Sequence, residues 1–201
     1  MPEPPDVGWL TRHLFENPYP VALAALAIAA GLAWIGLRDA RRDRLVAAAV
    51  LAALGGSALL TGALVTTAGE RARVVAQDLV AAAVDGDIPA AMRLLDDEAI
   101  LAFGSPKIPG FGLDFIHDRL TRLTERHPVV SNRTTMLKAY TESPTRATVH
   151  LACLTEVEAG YGLTASKWVL RIEPDADGIL KVVHITCVSI NGRTPRPEWA
   201  W

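Results

Sequence analysis

Two stretches of this chain lack charge altogether. Pro20–Leu37 and Leu45–Gly69 contain no Asp, Glu, Lys, Arg or His. That absence excludes an ion pathway or proton relay inside either stretch, since such work needs ionisable groups. Cysteine is nearly missing as well. Cys153 and Cys187 belong to no CxxC pair and no Cys/His array, so no structural metal site is expected. A net charge of −2 gives no electrostatic basis for binding nucleic acid. The first nineteen residues hold Glu3, Asp6 and Glu16 against Arg12 alone, which is not the basic leader of a secretory signal. The sequence carries no catalytic motif and implies no cofactor.

What is present is an organisation built on the uncharged runs. At 1.5 Å per residue the first reaches about 27 Å, and the second is longer, so each can cross a hydrocarbon core of roughly 30 Å. Between them, residues 38–44 place four arginines in seven positions. The positive-inside rule assigns this loop to the cytoplasm and both termini to the outer side. Ala25, Ala29 and Ala33 recur every four residues in the first span, as do Ala49, Ala53, Ser57 and Thr61 in the second. Small residues at that spacing let two helices approach closely. The expected hairpin is therefore 20–37 and 45–67, with the lipid bilayer as its partner. Residues 1–19 precede it as a tail, or as an interfacial helix with Trp9, Phe15 and Tyr19 at headgroup level.

After Gly69 the texture is that of one domain, with 130 residues or so available for a core. Val75, Leu79 and Ala83 mark a helix starting at Glu70 and stopping at Asp85-Gly86. Asp87 and Pro89 open a short second helix. Ala99–Phe103 has the texture of a short strand. Leu113, Ile116, Leu120 and Leu123 set a third helix over 113–126, ended by His127-Pro128. Four β segments follow: Val129–Tyr140, Arg146–Glu158, Leu163–Glu173 and Ile179–Ile190. Short turns between them imply an antiparallel meander. The last residues, 191–201, form a tail rich in proline and tryptophan.

Helices followed by a four-stranded meander, with the turn Val84-Asp85-Gly86-Asp87 between the first two helices, resemble the NTF2-like, SnoaL-like family. The resemblance covers residues 70–190 and implies an α+β fold, a helical layer packed on a curved sheet around a pocket. Members of that family include small enzymes, ligand binders and interaction modules, so the fold alone leaves function open.

Alternation sorts the candidate pocket residues. Trp168, Leu170 and Ile172 share one face of their segment, opposite Lys167 and Arg171; Ala147, Val149, Leu151 and Cys153 read as inner, with His150 outward on the surface. The last segment is ambiguous, and His184 is a candidate for the pocket. On the third helix, His117 lies about 40° around from Leu113. Asp114, three residues back, is placed to hold it, a pairing suited to proton abstraction. The expected pocket set is Leu113, Leu120, Trp168, Leu170 and His184, with His117 and Asp114 as the catalytic candidates. Cys153 and Cys187 fall on strands separated by a third, about 9–10 Å apart, too far for a disulfide.

Three readings follow. The first is a membrane-anchored extracytoplasmic domain that binds a small apolar ligand or a protein partner. The second is a SnoaL-like enzyme, an isomerase or hydrolase working through the His-Asp pair. The third is an accessory subunit of a membrane complex, or a homo-oligomer, associating through the hairpin. The orientation is tested by introducing a cysteine at Ala176, in the turn after the third β segment. A membrane-impermeant thiol reagent should label it in intact cells; labelling only after lysis would invert the topology.

Overall fold

The computed structural model describes residues 19–64, 67–158 and 162–196. The expected interfacial helix before Tyr19, the Gly160-Tyr161 part of one turn and the terminal tryptophans lie outside them. The chain divides into two compact units, the hairpin through Thr67 and the domain from Ala68 onward.

In the hairpin, α1 (Tyr19–Arg38) and α2 (Arg42–Leu64) are long and apolar enough to cross a membrane. The face between them differs from the expected stripes. Ala22, Ala29 and Gly36 are buried on α1, and Ala48 and Gly55 on α2, both at seven-residue spacing. Ala49, Ala53 and Ser57 are exposed instead. A seven-residue repeat keeps one seam facing a partner helix, whereas a strict four-residue repeat drifts around the axis. So much alanine offers several such patterns, and the glycine decides: a Cβ on Gly55 would lie 3.2 Å from the Ala22 carbonyl oxygen. Many of the large apolar side chains, among them Leu23, Ile28, Trp34, Leu37, Val50, Leu54 and Leu60, point away from the pair and are exposed, whereas Leu26 and Leu45 are half-buried beside Gly55 and Gly36.

The domain runs α3 (Ala68–Asp85), α4 (Ile88–Arg93), β1 (Leu95–Phe103), α5 (Leu113–Arg126), β2 (Val129–Ser143), β3 (Arg146–Val157), β4 (Leu163–Pro174) and β5 (Leu180–Ile190). The meander forms as expected, and β1 adds a fifth strand parallel to β5, giving the order β1-β5-β4-β3-β2. β1 begins four residues before the expected Ala99. The acidic run Asp96-Asp97-Glu98 hides it, because the register shifts between Leu95 and Ile100 and frees those residues from the ladder.

Leu79 and Ala82 of α3, and its fully buried Ala72 and Ala76, pack on Ala147, Val149, Leu170, Ile172, Val182 and Ile185 of the sheet. Alanine lets the helix settle close to the strands, and Gly69 N donates to Thr141 Oγ1 at 3.1 Å where the helix begins. The ambiguity in β5 has a structural cause. Between the pairs Arg171–His184 and Ile172–Val182 the register shifts, so Val182, Ile185 and Cys187 reach the same core despite their mixed parity. Cys153 and Cys187 are free and buried, with β4 between their strands. Burial pushes the Cys187 thiol up to about 12.

His150 corrects the surface assignment. It does point away from α3, yet it is only 4% exposed. It sits on a central strand, opposite Lys138 on one side and Val169 on the other, with its ring 5.1 Å from that of Tyr140. Neighbours on both flanking strands cover it.

Asp87 caps α4, its carboxylate accepting from Ala90 N at 2.9 Å. Just before it, Gly86 takes φ +70°, and a Cβ there would meet Thr124 Cγ2 of α5 at 2.8 Å. Gly86→Ala combines left-handed strain with that overlap and should cost about 1–2 kcal/mol. A thermal midpoint lowered by several degrees, measured on the full chain in detergent, is the expected result.

Candidate functional site

A cavity of about 590 Å³ lies between α3, α5 and the inner face of the sheet. That is within the roughly 300–1,000 Å³ of small-molecule sites. Its walls are mainly apolar: Leu79, Val80 and Val84 from α3, Leu120 and Leu123 from α5, Leu151 and Leu170 from the sheet.

A few polar side chains interrupt this lining. Arg119 comes from α5 and His127 from its C-terminal end; Asn132, Thr155, Ser166 and Asn191 come from the sheet and its last turn. Thr155 Oγ1 donates to Asn132 Oδ1 at 2.8 Å. Trp168 Nε1 donates to Ser166 Oγ at 2.9 Å, which leaves the serine proton available to another acceptor. Asn191 closes the turn after β5, accepting from Ala165 N at 2.8 Å. Cys153 also faces the cavity. Burial raises its thiol above the ordinary value, and hydrogen bonds from Thr134 and Asn132 draw it partly back. It is therefore a protonated, weakly polar wall group near neutral pH rather than a nucleophile.

Among the described lining residues, Arg119 is the one formal cation. Its Cζ lies 4.7 Å from the centroid of the Phe115 ring. Phe115 stacks on Phe111 at 4.3 Å, and Phe111 meets Phe103 edge-on at 6.1 Å. Phe111 is fixed in turn by paired backbone hydrogen bonds with Leu101, at 2.8 and 2.9 Å. Arg119 Nε is buried. Among the described lining residues there is no Asp or Glu.

Of the residues expected from sequence, Leu120, Trp168 and Leu170 line this cavity. Leu113 packs against the core beside it. His117 and Asp114 are exposed on α5, outside the lining. The offset was measured from Leu113, which is itself only partly buried and stands at the edge of the stripe. Taken from Ile116, the deeply buried residue of α5, His117 is turned away by about 100°. His184 lies on the opposite face of the sheet, paired with Arg171, its Nδ1 3.2 Å from Thr186 Oγ1.

The sequence reading passed over Arg119, His127, Asn132, Thr155, Ser166 and Asn191. A signal for three of them was available. Arg119 follows Ile116 by three residues and so falls on the apolar stripe, and Thr155 and Ser166 continue the inner-face parity of Cys153 and Trp168. Asn132 and Asn191 have no such signal: Asn132 stands between two register shifts of β2, which break its parity from Leu137 and Ala139 further along, and Asn191 sits in a turn.

No family model matches the chain, and no curated protein matches it. Solved structures do. An NTF2-like protein of unknown function from Pseudomonas putida KT2440 superposes with a TM-score of 0.50 at 15% identity, over 59% of this chain and 84% of that one. A ketosteroid isomerase-like protein from Erwinia carotovora atroseptica gives a TM-score of 0.47 at 18% identity, over 58% of this chain and 92% of that one. The domain has the NTF2-like fold.

The buried His150 and the half-buried His184 are expected to make the domain acid-sensitive. Burial lowers both His150 and His184 from the ordinary 6.5, and Arg171 adds to the effect at His184. The unfolded chain then binds protons that the folded one refuses, so stability is full above the ordinary value and falls as pH drops below it. Between about pH 7.5 and about 5.5 the thermal midpoint should fall. His150→Phe keeps a ring beside Tyr140 and should shrink that fall; an unchanged slope would assign the acid sensitivity elsewhere.

Proposed function

We propose that this protein is a membrane-anchored binding module whose NTF2-like domain holds a small, largely apolar ligand in its cavity. The observation that carries the reading is the cavity itself, with a mainly apolar lining and a few placed hydrogen-bonding groups. Anchoring is supported by α1 and α2, whose large apolar side chains face outward rather than into a core. With no charge inside the spans, the hairpin has no transport chemistry of its own, and it serves to hold the domain at the outer surface.

The enzymatic reading has less to stand on. His117 and Asp114 face solvent, and the cavity wall offers no carboxylate among its described residues to act as a base. Reading the module as a subunit of a larger membrane complex remains compatible with the same anchor.

The test uses the full chain in lipid nanodiscs, with a neutral aromatic probe, 2-naphthamide, followed by quenching of Trp168 and referenced to a Trp168→Phe variant. Saturable quenching is expected. Ala83→Trp, which adds bulk from the α3 wall, should weaken it by about tenfold or more while the fold is retained. Absence of saturable quenching, or binding indifferent to Ala83→Trp, would remove the cavity as the ligand site.

A further inference from the structure

We propose that the cavity selects an apolar molecule whose polar group both donates and accepts a hydrogen bond, an amide or an alcohol, and that Thr155 and Ser166 read its two sides. The proposal rests on reading the cavity as a ligand site and adds the polar group its ligand must carry.

The polar groups that the sheet lends to the cavity stand together at one end of the strands. Thr155, near the end of β3, pairs with Asn132 of β2 on one side and Thr164 of β4 on the other, and Ser166 of β4 pairs with Cys153. Further along the same two strands the lining turns to Leu151 and Leu170. An occupant that follows this division has an apolar body and a polar end. The strip itself carries no formal charge, and Arg119, on α5, is engaged with the ring of Phe115 and is no part of it.

Hydrogen bonds already made within the strip decide what each side chain has left. Asn132 donates to the Cys153 sulfur, so its amino group points that way and its oxygen is the atom beside Thr155. Thr155 Oγ1 therefore gives its only proton to Asn132 Oδ1, at 2.8 Å, and keeps lone pairs alone for a ligand. Ser166 is the reverse. Its oxygen accepts from Trp168 Nε1 at 2.9 Å, and its proton remains to be given. Asn191 repeats the donor role, because Ala165 N occupies its Oδ1 and its amino group is left over. Thr155 and Ser166 are diagonal neighbours on β3 and β4, their backbones about 7–8 Å apart, so one small polar group reaches both side chains. A carboxamide gives its N–H to Thr155 and takes the Ser166 proton on its oxygen; a hydroxyl does both through one oxygen. A ketone or carboxylate would set its lone pairs against those of Thr155, and an ammonium would leave Ser166 unmatched. Ser166 is buried and Thr155 half-buried, so such a mismatch is not relieved as it would be in open water.

The experiment compares two probes of one shape, 2-naphthamide and 2-acetylnaphthalene, by equilibrium dialysis against the full chain in nanodiscs, with empty nanodiscs as reference. The ketone has a methyl group where the amide has its NH2, so the donor is what differs. The ketone is also the less hydrated of the two, and a cavity that recognised apolar bulk alone would prefer it. Wild-type protein, with no variant needed, should bind the amide at least about fivefold more tightly than the ketone. Thr155→Val keeps the shape and removes the acceptor; it should erase that preference and leave the ketone within about twofold. Ser166→Ala should instead weaken both probes alike, by about threefold or more, since both present a carbonyl oxygen. Equal affinity for the two probes, tighter binding of the ketone, a preference that survives Thr155→Val, or affinities untouched by Ser166→Ala overturns the proposal while leaving the cavity as a ligand site. If neither probe binds, the binding-module reading falls and this proposal falls with it.

Discussion

The contact on which the domain depends is the alanine face of α3 against the strands. Ala68, Ala72 and Ala76 are small enough for the helix to lie close to the sheet, and nothing intervenes along the first half of its length. The second half changes character. Leu79, Val80, Ala83 and Val84 all border open space. Core and cavity are two regimes of one interface. Where the helix side chains are short the layers meet, and further along α3 a space opens between helix and strands that α5 closes from the side. The short α4 sets that arrangement, because the turn at Gly86 and the cap at Asp87 reverse the chain beside Thr124 and deliver it to β1.

The regular part of this design was legible from the residues. Helix α5 was read to its ends because its apolar stripe is unbroken and a His-Pro pair terminates it, and the four meander strands have sharp turn chemistry between them. What escaped was whatever broke a period. β1 was shortened by its acidic bulge, the core side of β5 was blurred by the shift at Val183, and the hairpin seam was displaced because alanine fits a four-residue and a seven-residue repeat alike. His150 shows a further limit. Alternation gives the direction of a side chain, but its exposure depends on how many strands flank it, and that number is a property of the whole sheet.

The same limit governs the candidate site. Choosing His117 amounted to choosing a helix face from one reference residue, and Leu113 lies at the margin of the stripe. The residue that reaches the cavity is Arg119, two positions further on, which by composition alone reads as an ordinary surface cation. A charge on an apolar stripe is the observation that carries information, since most charged residues avoid such positions.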